Sequence, residues 1–251
     1  MQLWVHYKQP IDSYMNENKG IVKTSRPAIA QSNELTEAAY YLSLQAKRVL
    51  WLCLMETYRQ EDHPGTFTVR VADYQRLFKV SQATASTDVR KGIDALSNSS
   101  VTFFPSDGEY EERKRPWLAE AGLKRGRGSW NIEFNNKVMP YLLDLSSQFT
   151  TYNLYDCGRI NSVRAIRLYE SLCQFRKSGI WITTPNWLAE RYQLPQSQRD
   201  NFAEMKRTFI KPALDKISKE TPLTASMSET DDGKLIFTII TKNPEPALPN
   251  V

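Results

Sequence analysis

Six side chains between positions 200 and 215, Asp200, Glu204, Arg207, Thr208, Lys211 and Asp215, fall on one arc when successive residues are advanced by about 100°. Their chemistry suits base and phosphate recognition. A guanidinium can bond guanine in a fork, a carboxylate can accept from cytosine N4, and ammonium or hydroxyl groups can bond phosphate oxygens. The opposite arc carries Phe202, Phe209, Ile210, Ala213 and Ile217, so a helix here would turn one side to a core and the other outward. On this pattern alone a solvated face accounts for the polar arc equally well. Lys206 falls near the apolar arc, and Pro212 removes a backbone donor in mid-helix, so a bend or restart near Ile210 is expected.

Other chemistries lack their parts. The two histidines, His6 and His63, stand apart in loop-like sequence and form no metal or base pair. The histidine pair needed by a rolling-circle nickase is missing, as is a glycine-rich phosphate loop ending in Lys-Ser or Lys-Thr. Cys53, Cys157 and Cys173 are scattered in apolar patterns without zinc or disulfide spacing and read as small buried hydrophobes in a reducing compartment. Asp107, Glu109, Glu111 and Glu112 share a polar loop that solvation explains. The expectation is therefore no enzyme: no catalytic residue, no cofactor and no metal. Lys plus Arg of 33 against Asp plus Glu of 28 leaves +5, which suits a polyanionic partner. No run approaches the roughly 18 apolar residues of a membrane span, and no signal-peptide pattern opens the chain, so a cytoplasmic protein without a membrane partner is expected.

The elements that would position the arc can be read around it. Pro185 and Asn186 start a short helix that Pro195 stops, and the polar-faced helix follows from Gln198. Pro222 to Met227 and Lys234 to Thr241 then read as strands joined by a turn ending in Asp-Gly. Two helices followed by a hairpin make a winged helix.

The first half spells the same order. Ser32 caps one apolar helix running to about Tyr58, Thr66 to Val71 is a strand, and Ala72 to Lys79 is a short helix. A helix from Gln82 to Leu96 then buries Ala85, Val89, Ile93 and Leu96 and presents Thr84, Ser86, Thr87, Asp88, Arg90 and Lys91. Small polar residues at its start would let backbone N–H groups approach phosphate. Strands at Trp117 to Gly122 and Ser129 to Phe134 carry Lys124, Arg125 and Arg127 at a hairpin tip, where a phosphate contact and a solvated loop fit equally. Val138 to Leu145 reads as a closing helix, and a new β-run starts at Gln148. Asn161 caps a helix to Phe175, and Gly179 to Thr183 is a strand. The order helix, strand, helix, helix, hairpin thus occurs twice, a repeat of architecture rather than of letters.

The segments SNELTEAAYYLSLQAKRVLWL, SQATASTDVRKGIDAL, QFTTYNL, AIRLYESLCQFRKSG, WLAERYQLPQS and MKRTFIKPALDKISKETP resemble the iteron-binding, theta-type plasmid replication initiators, in order from about Gln31 to Thr241. The resemblance implies an α+β chain of two tandem winged-helix domains related by a pseudo-twofold. It implies binding to double-stranded DNA, as a monomer on direct repeats at an origin and as a self-repressing dimer on an inverted repeat of the operator. It also implies work with a host replication initiator, the replicative helicase and chaperones. Carried over by the segment around Glu204, base reading falls on Glu204, Arg207 and Thr208, with Arg199 or Asn201 near the helix start. Backbone contacts fall on Lys206 and Lys211, and in the first domain on Thr84, Ser86, Thr87, Arg90, Lys91, Lys124, Arg125 and Arg127. Thr208 departs from an arginine found in the family, so the repeat read here should differ.

The expected division is an arm over 1–30, a first winged helix over 31–147, a DNA-reading winged helix over 148–243 and a tail over 244–251. The alternative of a dedicated transcriptional repressor with the same fold stays open at this point.

Overall fold

The computed structural model describes residues 28–57, 64–105, 108–126, 128–143 and 149–242. Both histidines, Asp107, Arg127 and the expected tail lie outside the described residues, as does the expected arm up to residue 27.

The first half runs β1 (Ala28–Ser32), α1 (Asn33–Glu37), α2 (Leu44–Thr57), β2 (Thr66–Arg70), α3 (Val71–Phe78), α4 (Gln82–Ser97), β3 (Ser100–Phe103), β4 (Arg113–Pro116), β5 (Leu118–Lys124), β6 (Ser129–Phe134) and α5 (Met139–Leu143). The second runs β7 (Phe149–Asn153), α6 (Leu154–Cys157), α7 (Val163–Gln174), β8 (Ile180–Thr183), α8 (Pro185–Arg191), α9 (Gln196–Arg199) and α10 (Phe202–Met205). A π turn (Lys206–Ile210), α11 (Lys211–Glu220), β9 (Leu223–Glu229) and β10 (Leu235–Thr241) complete it.

The repeat read from the letters is visible in the sheets. In each half the strand lying between helices pairs antiparallel with the last strand of the hairpin, giving the orders β2-β6-β5 and β8-β10-β9. Period-two burial drives both. Phe67 and Val69 of β2 point inward beside Ile132 and Phe134 of β6, and Leu235, Phe237 and Ile239 of β10 face the second core. Gly233 turns the second hairpin with φ of 76°, a left-handed conformation that glycine adopts without strain.

Three features depart from the sequence reading. The single helix expected from Ser32 to Tyr58 is two helices, because Arg167 Nη2 takes the carbonyls of Thr36 (3.1 Å) and Ala38 (2.7 Å), and Ala38 turns to extended backbone at ψ of 152°. Residues 28–30, expected in the arm, belong to β1, which pairs with β7 from Ala28 opposite Asn153 to Ser32 opposite Phe149. An unforeseen strand, β4, pairs with β3 and carries the basic run Arg113, Lys114 and Arg115.

The core does not break at 147/148. Buried side chains form one cluster from Ile29 to Ile239. Helix α7 is its axis: every residue from Ala165 to Cys173 is buried, with α1 packed on it from the first half and β7 and α11 from the second. Within this apolar mass lies a polar chain. Lys47 Nζ of α2 meets Glu170 Oε1 of α7 at 2.7 Å, both side chains being fully buried, and also donates to Tyr40 Oη at 3.1 Å. Tyr152 of β7 donates to the same carboxylate oxygen at 2.5 Å and receives Trp51 Nε1 at 3.1 Å. Burial is the largest single influence and would weaken the Lys47 charge, but the Glu170 carboxylate and the Tyr40 hydroxyl together outweigh it and the lysine pKa is raised. Arg167 lies over the Tyr40 ring at 3.7 Å. The chain therefore ties α2, β7 and α7 into one body.

Candidate nucleic-acid interface

In the second winged helix, Thr184 Oγ1 accepts from Trp187 N at 3.1 Å and starts α8, with Pro185 in its first turn, where a missing N–H costs nothing. After Tyr192 the chain turns through Gln193 at φ of 46°, and Pro195 opens α9. The polar-faced helix is not continuous from Gln198. It restarts at Asn201, whose Oδ1 accepts from Glu204 N at 3.1 Å as an N-cap.

Pro212 explains the next irregularity. It has no N–H to offer the carbonyl of Thr208, and its ring would crowd that carbonyl in an α-helix. The backbone widens just ahead of it into the π turn, where Lys211 N–H reaches back to Lys206 O. The bend expected near Ile210 is thus a local change of winding. Met205, Phe209, Ile210, Ala213 and Ile217 remain on the buried side.

The polar arc stands outward. Arg207 and Thr208 are exposed and Glu204 is half-buried, and the guanidinium is forked onto the carboxylate with contacts of 2.7, 3.0 and 3.1 Å. Such a pair at the surface adds little stability. Its effect is to hold both charged ends together at the surface. Thr208 Oγ1 donates to Glu204 O at 2.8 Å and accepts Gln198 Nε2 at 2.8 Å. Lys206 is ion-paired with Glu229 of β9, so the arc is fastened to the wing beside it. Lys211 is exposed.

Arg199 and Asn201 have local duties: Arg199 Nε donates to Leu194 O at 2.7 Å and the side chain lines a groove with Thr184, Asn186 and Trp187, whereas Asn201 spends its carbonyl oxygen on the cap. Sequence reasoning missed Gln198 and Glu229. Neither lies on the arc, and only their long-range contacts mark them.

In the first half, Ser81 Oγ accepts from Thr84 N at 3.1 Å and bonds Thr84 Oγ1 at 2.8 Å, capping α4. Ser86, Thr87, Arg90 and Lys91 are exposed along it. Arg90 stacks on the Trp130 ring of β6 at 5.1 Å, which aims its charge beside the β5–β6 wing. Lys124 is half-buried and Arg125 exposed near the wing tip. Helix α4 lies unusually close to α2, because a Cβ on Gly92 would stand 2.6 Å from Gln45 O. Tyr74 Oη donates to Asp88 Oδ2 at 3.1 Å behind the same helix, and burial pushes the Tyr74 hydroxyl up to about 12. Among the described residues no cluster of His, Cys, Asp or Glu could hold a metal ion, and no helix is long and apolar enough to cross a membrane.

Comparison with known proteins agrees with this architecture. The Initiator Replication protein family matches in two parts, WH1 over residues 28–173 and WH2 over residues 185–240. These limits start the first unit at β1 and end it at Cys173, one residue before the end of α7. An Escherichia coli protein described as an uncharacterized 27.6 kDa protein is 53% identical over 225 residues, covering 85% of this chain and 94% of its own. The PI protein of Escherichia coli is 22% identical over 228 residues, covering 78% of this chain and 75% of its own. The crystal structure of the Pi initiator protein in complex with iteron DNA superposes with a TM-score of 0.72 at 21% identity, over 88% of this chain and 99% of that one, which establishes a shared fold. With both of its winged helices matched in order, the chain belongs to the Initiator Replication protein family.

Proposed function

We propose that this protein is a plasmid replication initiator that binds double-stranded DNA without catalysing a reaction. The second winged helix reads bases in a major groove through Glu204, Arg207 and Thr208, and the first holds the adjacent phosphates through α4 and its wing. The Pi initiator, of the same fold, is known in complex with iteron DNA. The observation that carries the reading is the outward arc of Glu204, Arg207 and Thr208, tied by Lys206 to a wing. Lys91, Lys211, Arg90 and Arg125 supply affinity that falls with salt, and the arc supplies the choice of sequence.

The chain acts in the cytoplasm as a monomer on directly repeated origin sites, and as a dimer on an inverted repeat that represses its own promoter. Host initiator, replicative helicase and chaperones are its working partners. Footprinting of the full-length protein on the DNA flanking its gene tests this. Protection of direct repeats is expected, with replication of a plasmid that carries only the gene and that DNA. Protection of a single palindrome with no replication would make the chain a dedicated repressor instead, and cleavage of supercoiled DNA with a divalent metal would make it an enzyme.

A further inference from the structure

Gln198 is buried at 9% exposure, yet it touches the reading face: its Nε2 donates to Thr208 Oγ1 at 2.8 Å. That hydroxyl in turn donates to Glu204 O at 2.8 Å. A hydroxyl has one hydrogen and two lone pairs. With its hydrogen on a carbonyl that can only accept, the oxygen must receive from Gln198, so the amide is held with its NH2 toward Thr208. Gln198 Oε1 is left buried with no hydrogen-bond partner among the described residues, an arrangement that costs stability and that a methionine would avoid. Retaining the amide is therefore not explained by packing.

We infer that Gln198 is a specificity-determining residue: by keeping the Thr208 hydroxyl turned into the protein, it leaves the threonine γ-methyl as the group offered to a base pair, and the base so read is thymine through its 5-methyl. The inference rests on the proposed function, in which this face enters a major groove. A free threonine hydroxyl can bond donors or acceptors on several bases and discriminates poorly, whereas a methyl meets a partner of its own kind only on thymine. Gln198 acts through Thr208 and touches no base itself.

The test uses the full-length protein and a randomised duplex pool. The recovered site is remade with deoxyuridine at each thymine in turn, since uracil pairs as thymine does but lacks the methyl. At one position uracil is expected to lower wild-type affinity about fourfold, the factor for losing burial of one methyl group. Thr208→Val should keep that sensitivity and Thr208→Ser should lose it. Gln198→Met should also lose it, while keeping the circular dichroism, a thermal midpoint at or above that of the wild type, and wild-type preference at every other position. Uracil tolerated at all positions, or Gln198→Met discriminating as wild type does, overturns the inference and leaves the DNA-binding reading standing. Recovery of no preferred duplex overturns both.

Discussion

Lys47→Met removes the cation from the buried pair with Glu170 while keeping much of the side-chain volume. At 2.7 Å the attraction is about 6 kcal/mol with an effective dielectric of about 20, and it offsets the desolvation of two ions. Without it the Glu170 carboxylate keeps the Tyr152 hydrogen bond but loses the ammonium at 2.7 Å, and removing one partner of a buried pair costs about 3 to 5 kcal/mol. The variant should therefore lose about 4 kcal/mol at pH 7. Adding Glu170→Gln should restore most of the loss at pH 7, because a neutral amide needs no counter-ion. Urea unfolding of the wild type and both variants at pH 7, followed by tryptophan fluorescence, measures this. A loss within about 1 kcal/mol for Lys47→Met, or no recovery in the double variant, would refute the reasoning.

Further outcomes follow from other parts of the molecule. Arg207→Ala should cost about 1 to 3 kcal/mol on the selected duplex and relax one base position, whereas Lys211→Ala should weaken all duplexes alike and reduce the salt slope by about 1; titrations at several salt concentrations on cognate and random DNA separate the two. Gly92→Ala gains about 1 kcal/mol of helix propensity, but its methyl meets the Gln45 backbone and Val49 Cγ2, so a net loss of about 1 to 2 kcal/mol is expected in thermal unfolding. The Tyr74 hydroxyl, raised from 10.0 to about 12, stays protonated in the folded protein after the unfolded chain has ionised, so stability should decline as pH rises across that window. Tyr74→Phe should make the decline shallower, as read by unfolding at pH 9, 10 and 11.

Local periodicity made much of this fold readable. Alternation in Thr66–Arg70 and Leu235–Thr241, the Asp-Gly turn, and the apolar arc through Phe209, Ile210 and Ile217 each depend on near neighbours, and each stands as read. What escaped depends on distant partners. The pairing of β1 with β7 joins residues separated by most of the first half, and the break after Glu37 is made by Arg167, whose reach no local pattern records. Asn201, carried over by the resemblance as a position near the start of the reading helix, also stands three residues before Glu204, the spacing of a helix cap, and its Oδ1 makes that cap. Gln198 could not be found at all, since an exposed and a buried glutamine look alike in a sequence.

A π turn holds one residue more than the same stretch of α-helix. Removing a single amino acid between positions 206 and 210 would let the winding close to α-helix and leave the segments before and after in nearly their present phase. The surplus is taken up on the spot, within a stretch that carries Arg207 and Thr208 outside and Phe209 and Ile210 inside, so a lost codon there would shorten the local winding while the flanking stretches kept their bearings.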